Sequence, residues 1–435
     1  MDPVTIGFIG LAFTLLLIAL RVHVGVALGL VSFVGISLLL NLKAAWGMLT
    51  AVPFHFVGDW NLTAVPMFLL MGYVASTAGL TTDLFRVMRM ALVRLPGGLA
   101  VASVGACGIF AAASGSSVAT SAAMARIATP EMLKYKYDPG LASGVIAASG
   151  TLGSLIPPSI LMILYGYFAE VSIGKLFVAG IIPGILSALM FMAMIVLRVI
   201  AKPSLAPTIT EPIDWAALLR GVWRVWPIPG LIVAVMLGIF LGVFTPTEAG
   251  AIGAFLSVVI VALKGKLTGD VLTNAISQTL RSTAGVFLVV IGTVLLTRFM
   301  ALSGVPGFVA EALIGIGQGP IGVIIVTAAL YLILGMFVDS IGLLLLTLPI
   351  LLPVVNAADM DLIWFGILVV KLLEIGMVTP PVGMNVYVIK GSLGSLVNLQ
   401  QVFKGVGWFI ATDIGTLVLL AAFPILVLWL PSLMG

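Results

Sequence analysis

Charge is what this 435-residue chain has least of: Asp, Glu, Lys and Arg together make up 8% of it, against 61% hydrophobic residues. Soluble domains carry about 25% charged residues, so an ordinary soluble fold is excluded. A mean hydropathy of +1.28 instead calls for many membrane spans of roughly 20 residues each. Cysteine is nearly absent. The single Cys107 rules out an internal disulfide and a thiolate metal cluster. Histidine is scarce too, with only His23 and His55, which excludes a multi-histidine metal centre and leaves the many serines without a base at membrane depth. The chain therefore does not read as an enzyme. No Gly-x-x-x-x-Gly-Lys-Ser/Thr run occurs, so no phosphate-cradling loop is present and an ion gradient is the natural energy source. The net charge of +4 sits in loops between apolar runs, as the positive-inside rule requires, and does not point to nucleic acid. Residues 4–20 lack a basic leader and a small-residue cleavage site, and read as a first span.

What is present is a set of apolar runs, two of them broken by paired prolines. Spans are expected at about 4–20, 24–42 and 62–80, followed by a charged stretch with Asp83, Arg86, Arg89 and Arg94. Residues 97–131 form two apolar limbs around Ser114-Gly115-Ser116-Ser117. At about 1.5 Å per residue each limb reaches only about 22 Å, short of the roughly 30 Å core, so a re-entrant helical hairpin is expected. A broken span at 139–169 carries Thr151-Leu152-Gly153-Ser154-Leu155-Ile156-Pro157-Pro158, and a further span covers 176–200. Residues 201–227, with Pro203, Pro207, Glu211, Pro212 and several tryptophans, read as a linker ending in an interfacial helix. The programme then repeats: spans near 228–244, 249–264 and 283–301, a hairpin near 319–356 with Asp339-Ser340-Ile341-Gly342 at its tip, a broken span near 361–390 with Gly376 and Thr379-Pro380-Pro381, and a last span near 405–430.

Gly29 pairs with Gly253, Gly72 with Gly292, Gly115 with Ser340 and Pro157 with Pro380, at an offset near 223 residues. The fold expected is all-α and polytopic, built from two repeats, 1–200 and 228–435, joined by the 201–227 linker. Five crossings per repeat is an odd number, so the second copy enters from the opposite side. Inverted repeats of this kind belong to secondary transporters, and paired helix interruptions mark their binding sites. With the N-terminus outside, Arg21, Arg86, Arg89, Arg94, Lys134, Lys136, Arg198, Lys202, Arg220, Arg224, Lys264, Lys266, Arg281, Lys390 and Lys404 fall on the cytoplasmic side. Lys43, Lys175 and Arg298 fall on the other. That asymmetry places both termini in the periplasm.

Proline removes a backbone donor and clashes with the carbonyl four residues back, and unpartnered carbonyls in hydrocarbon are costly. Broken helices are therefore expected around a polar cavity. Carbonyls at half-helix C-termini suit Na⁺, and amides at half-helix N-termini suit an anionic substrate. One cation site is expected from Ser114, Gly115, Ser116, Ser117, Thr151, Gly153 and Ser154, and a second from Asp339, Ser340, Gly342, Gly376, Thr379 and Asn385. Ser116, Arg126, Pro157, Ser340 and Pro380 are the candidates for touching substrate. Taken alone, Ser and Gly in membrane helices are close-packing residues; their place at a tip beside a Pro-Pro break favours a site. Asp339 reads as a cation or proton ligand, because a carboxylate at membrane depth is costly. Lys371 and Glu374 read as a self-neutralising i,i+3 pair rather than a proton relay. Arg126 either snorkels to the surface or grips a carboxylate as a bidentate donor. Asp413 and Glu248 read as caps or partners near span ends, and the two histidines as interfacial.

Four stretches carry a resemblance: Ala-Ala-Ala-Ser-Gly-Ser-Ser-Val-Ala-Thr at 111–120, Gly-Thr-Leu-Gly-Ser-Leu-Ile-Pro-Pro-Ser at 150–159, Thr-Pro-Thr-Glu-Ala-Gly-Ala-Ile-Gly-Ala at 245–254 and Thr-Pro-Pro-Val-Gly-Met-Asn at 379–385. Over essentially the whole chain they resemble the large membrane subunit of TRAP transporters, the tripartite ATP-independent periplasmic family. The resemblance implies Na⁺-driven uptake of an organic acid, such as a C4-dicarboxylate or sialic acid, across a bacterial inner membrane by an elevator motion of hairpins and broken helices. It also implies two protein partners, a small four-helix membrane subunit and a periplasmic substrate-binding protein. Arg126 departs from the small, apolar pattern of its limb and is a candidate for tuning substrate choice. An anion channel or a proton-coupled permease on the same repeat is the alternative.

Overall fold

The computed structural model describes residues 2–207, 209, 214–315 and 319–434. Glu211 and Pro212 of the linker, and Gly317, lie outside the described residues, as does the His55 side chain. Among the described residues the regular structure is entirely helical. Helices α1 (Pro3–Ala19), α2 (Val24–Leu39), α3 (Leu42–Val57), α4 (Ala64–Thr77) and α5 (Leu80–Leu92) precede two antiparallel limbs, α6 (Gly98–Ser114) and α7 (Ser117–Lys134). Then come α8 (Pro139–Leu155), α9 (Ile160–Phe168) and the long α10 (Ile173–Ala201). The linker ends in α11 (Trp215–Val225), and after it come α12 (Pro227–Phe240), α13 (Pro246–Leu263), α14 (Gly269–Ser303) and α15 (Val305–Gly315). The chain closes with α16 (Gly319–Gly335), α17 (Ser340–Ala357), α18 (Leu362–Val378), α19 (Met384–Leu393), α20 (Leu399–Ala422) and α21 (Ile425–Leu428). Among the described residues, five helices are long and apolar enough to cross a membrane, or up to eight if bent pairs count as one span.

Local chemistry sets the helix starts. Asp138 accepts from Leu141 N at 2.9 Å to open α8. Asp361 accepts from both Ile363 N and Trp364 N at 2.8 Å to open α18. Thr245 and Glu248 close a reciprocal capping box at α13, so Glu248 is the cap its position suggested. Asp83 receives Lys266 at 2.9 Å, while Arg89 meets Glu131 at 2.5 Å, and these ion pairs tie α5 to α7 and to the turn before α14.

Three elements escaped the sequence pattern, α15 (Val305–Gly315) among them. Residues 42–57 are helical although Pro53 sits inside them, and the charged stretch after α4 is a helix, α5, bent 68° from its predecessor. α5 carries Asp83 in its first turn and Arg89 in its last, and buries Leu80, Leu84, Phe85 and Val87, the pattern of an amphipathic helix lying on a core. α14 is also longer than expected: its start at Gly269 precedes the apolar stretch near 283 by four turns.

The helices pack in reciprocal pairs. α2 lies on α14 and α4 on α13; α7 meets α19 and α17 meets α9; α8 packs on α20 and α18 on α10. Small residues permit the closest of these contacts. A Cβ at Gly292 would sit 2.4 Å from Gly25 O, and one at Gly405 would sit 1.9 Å from Gly140 O. The backbones of α2 and α14, and of α8 and α20, therefore touch without intervening side chains. Trp223, Trp226, Trp408 and Trp429 are all more than half exposed, as an aromatic belt facing lipid headgroups requires.

Candidate functional site

Four helices begin at interruptions, and all four begin on one cavity. The chain turns at Gly115 (φ +61°), a left-handed conformation that glycine adopts without a side-chain clash. It enters α7 with Ser116 accepting from Ala119 N at 3.4 Å. Ser159 accepts from Met162 N at 3.4 Å and opens α9. Asp339 accepts from Gly342 N at 2.9 Å and opens α17. α19 begins after Gly383 (φ +58°), with no side-chain cap hydrogen bond. The cavity, of about 700 Å³, is lined by Ser116 and Ala119 of α7, Ile160 of α9, Asp339 and Ile341 of α17, and Met384 of α19. Its other wall is His23 and Val24 between α1 and α2, Tyr73 of α4, and Gln278 and Ser282 of α14. Tyr73 OH and Ser282 Oγ are hydrogen-bonded at 2.7 Å across that wall.

The first tip is sealed against the first break. Ile160 N donates to Gly115 O at 3.4 Å, and a Cβ at Gly115 would lie 2.9 Å from Pro158 O. Ser114 Oγ and Thr120 Oγ1 bond at 2.7 Å across the turn. Ser117 Oγ lies 2.5 Å from Ser154 Oγ and 3.5 Å from Thr151 O. Gly153 lets α8 approach this tip, since a Cβ there would sit 2.6 Å from Ser116 O. Ser114, Gly115, Ser117, Thr151, Gly153, Ser154 and Pro157 are buried, and Ser116 is half-buried against the cavity. The structure therefore brings all seven residues of the first expected cation site together.

The second tip is assembled differently. Gly376 packs on Gly335, where a Cβ would lie 2.8 Å from Gly335 Cα, and Gly383 N donates to Met336 O at 3.3 Å. Thr379 Oγ1 donates back into its own helix, to Ile375 O at 2.6 Å. Gly342 is buried and Ser340 half-buried at the start of α17. Pro380 and Pro381 are exposed, whereas Pro157 and Pro158 are buried. Asn385 turns away from this tip: it is buried and donates Nδ2 to Ala147 O of α8 at 3.4 Å. Asp339 is a cap on the cavity wall, half-exposed rather than enclosed. Arg126 is exposed one turn beyond Ala122, outside the residues that line the cavity.

The charged residues of α18 differ from the sequence reading. Lys371 pairs with Asp413 of α20, not with Glu374, and also donates to Ser187 of α10 at 3.1 Å. Asp413 is therefore not near a span end but fully buried in the middle of α20. Glu374, fully buried, faces the first tip, where Ser117 Oγ donates to its Oε1 at 3.3 Å. A spacing of three suggested a local pair. The helix instead directs the two side chains to different neighbours, and nothing local in the sequence marks α7 as Glu374's partner.

Four half-helices around one cavity, in an all-helical membrane chain, define the class: a polytopic transporter fold. A solved structure of MtrF from Neisseria gonorrhoeae, titled as illuminating a class of antimetabolite efflux pumps, superposes with a TM-score of 0.62 at 14% identity, covering 97% of this chain and 95% of that one. At that identity the likeness speaks for the fold alone. The family described as "Tripartite ATP-independent periplasmic transporter, DctM component" matches residues 11–426; this chain belongs to that family. The sialic acid TRAP transporter permease protein SiaT of Haemophilus influenzae is 33% identical over 94% of this chain and 66% of its own length, so this chain spans just under two thirds of it. The C4-dicarboxylate TRAP transporter large permease protein DctM of Vibrio cholerae is 32% identical over 95% of this chain and 94% of its own. These relatives are transport proteins, not enzymes.

Proposed function

We propose that this chain is the transmembrane large permease of a bacterial inner-membrane importer that couples Na⁺ entry to uptake of an organic acid. The observation that carries the reading is the convergence of the α7, α9, α17 and α19 N-termini on a single cavity. Each N-terminus presents unpaired amides and roughly half a positive charge, which together favour a carboxylate. α19 is the natural seat for it, because no side-chain oxygen caps its first turn. Oxygens of the hard kind that Na⁺ takes come from Ser117 at the start of α7 and from Ser154 and the Thr151 carbonyl at the end of α8.

The reciprocal pairings α2 with α14 and α4 with α13, and α7 with α19 and α17 with α9, support the two inverted repeats. They also support the division into a scaffold and a transport unit made of the hairpins and broken helices, the unit that slides in an elevator cycle. With the termini in the periplasm, His23, Gln278 and Ser282 set the cavity toward the cytoplasm, an inward-facing arrangement. The related SiaT and DctM are named for sialic acid and C4-dicarboxylates, and a carboxylate of that size is the substrate class. A small four-helix membrane subunit and a periplasmic binding protein complete the assembly.

The test is uptake into proteoliposomes containing the complete assembly, scanning carboxylates with and without an inward Na⁺ gradient. The reading expects accumulation above the external concentration only when the gradient is present. Equilibration independent of Na⁺ would establish a channel instead, and accumulation driven by a pH gradient alone would establish a proton-coupled permease.

A further inference from the structure

Glu374 stands out among the buried polar groups that the tip-and-break geometry leaves unexplained. It lies in α18, in the second half of the chain, yet its carboxylate reaches 257 residues back to Ser117 at the first tip. It is fully buried, and among the described residues its Oε2 has no hydrogen-bond partner. One turn earlier on the same helix, Lys371 is already committed to Asp413. With all three ionised, the cluster of Lys371, Asp413 and Glu374 carries one negative charge in excess. A buried carboxylate without a counter-charge is strongly disfavoured at membrane depth.

Oxygen atoms gather at the other carboxylate oxygen. Ser117 Oγ lies 3.3 Å from Glu374 Oε1, 2.5 Å from Ser154 Oγ and 3.5 Å from Thr151 O. A carboxylate, two hydroxyls and a carbonyl, all on buried residues, form a hard-oxygen set matched to a small hard cation.

We propose that Glu374 is the anionic ligand of the cation site at the first tip, shared across the two halves of the chain, and that the cation it holds is Na⁺. The proposal rests on the Na⁺-coupled reading above and adds to it a charged ligand from the other half. Na⁺ at this point neutralises the excess charge and ties α18 to the α7 and α8 ends, so that filling the site fixes the first tip and the second broken helix as one body. The Lys371–Asp413 pair acts behind it as a positioning element, directing Glu374 to the tip rather than to its own helix neighbour.

The experiment is direct binding of ²²Na⁺ to the purified full chain in lipid nanodiscs, with Glu374→Gln, Glu374→Asp and, as a control on the α14 surface, Asp270→Asn. The proposal expects Glu374→Gln to weaken ²²Na⁺ affinity about tenfold or more, since removing one unit charge next to the ion costs more than the roughly 1.4 kcal/mol that a factor of ten represents. Glu374→Asp should fall between Gln and the unaltered chain, and Asp270→Asn should bind as the unaltered chain does. Equal ²²Na⁺ affinity in Glu374→Gln overturns the proposal and leaves Na⁺ coupling standing. Failure of the unaltered chain to bind ²²Na⁺ at all overturns Na⁺ coupling itself, and the proposal with it. If Glu374→Gln elutes as an aggregate on gel filtration, Glu374→Asp decides: weakened affinity supports the ligand role and unchanged affinity overturns it.

Discussion

The chain uses the same device twice and finishes it in two ways. At the first interruption the prolines are buried, Gly115 sits against Pro158 O, and serine hydroxyls bridge α7 to α8. At the second, Pro380 and Pro381 are exposed, Phe337 beside the tip is 59% exposed, and tip and break meet through backbone and glycine alone. Hydroxyl bridges between buried partners resist separation because each leaves a desolvated oxygen behind when broken. Contacts between glycine backbones beside a cavity carry no such penalty. The difference separates the two units within the transport body proposed above: the first is bridged by buried hydroxyls, and the second is joined by backbone and glycine contacts beside the cavity.

The largest effect that sharpens this contrast is expected behind the first tip. Lys371→Met strands the buried Asp413 carboxylate, which should cost about 3–5 kcal/mol. A marked fall in the thermal midpoint, followed by tryptophan fluorescence in detergent, checks it. Next comes the turn itself. Gly115→Ala places a Cβ at φ +61° and 2.9 Å from Pro158 O, for a loss of about 1–3 kcal/mol; Phe337→Ala at the second tip should change stability by no more than about 0.5 kcal/mol, measured side by side. A smaller effect is expected at the α17 cap. Asp339→Ala removes the bond to Gly342 N and should cost about 1 kcal/mol, whereas Asp339→Asn, which keeps a capping oxygen, should cost less than half of that by the same assay. An Asp339 effect matching that of Lys371→Met would erase the distinction between the two units.

How much of this was legible in the sequence depended on how local the signal was. The membrane class followed from composition, and the interruptions from Pro-Pro pairs and the Ser-Gly-Ser-Ser run, because each breaks a helix by its own stereochemistry. The partners of the first tip were legible for the same reason, since Thr151, Gly153 and Ser154 precede a break that the limb lengths bring to the tip. Asn385 was misplaced because its helix, α19, packs on α8 of the other half, a contact no spacing encodes. Lys371 and Glu374 were paired by proximity along α18, when tertiary packing gave each a different partner. α5 was passed over because its charges masked the buried face of Leu80, Leu84, Phe85 and Val87.

The inequivalence of the two units is tested most directly by cysteine accessibility, in a Cys107→Ala background that removes the single, buried native thiol. Phe337→Cys and Met384→Cys on the second unit, and Thr151→Cys and Ser154→Cys on the first, are exposed to a membrane-impermeant maleimide in Na⁺-containing buffer. The account predicts labelling at 337 and 384 at least about tenfold faster than at 151 and 154, since thiol reactivity follows exposure. Equal rates, or faster labelling at 151 and 154, would contradict it.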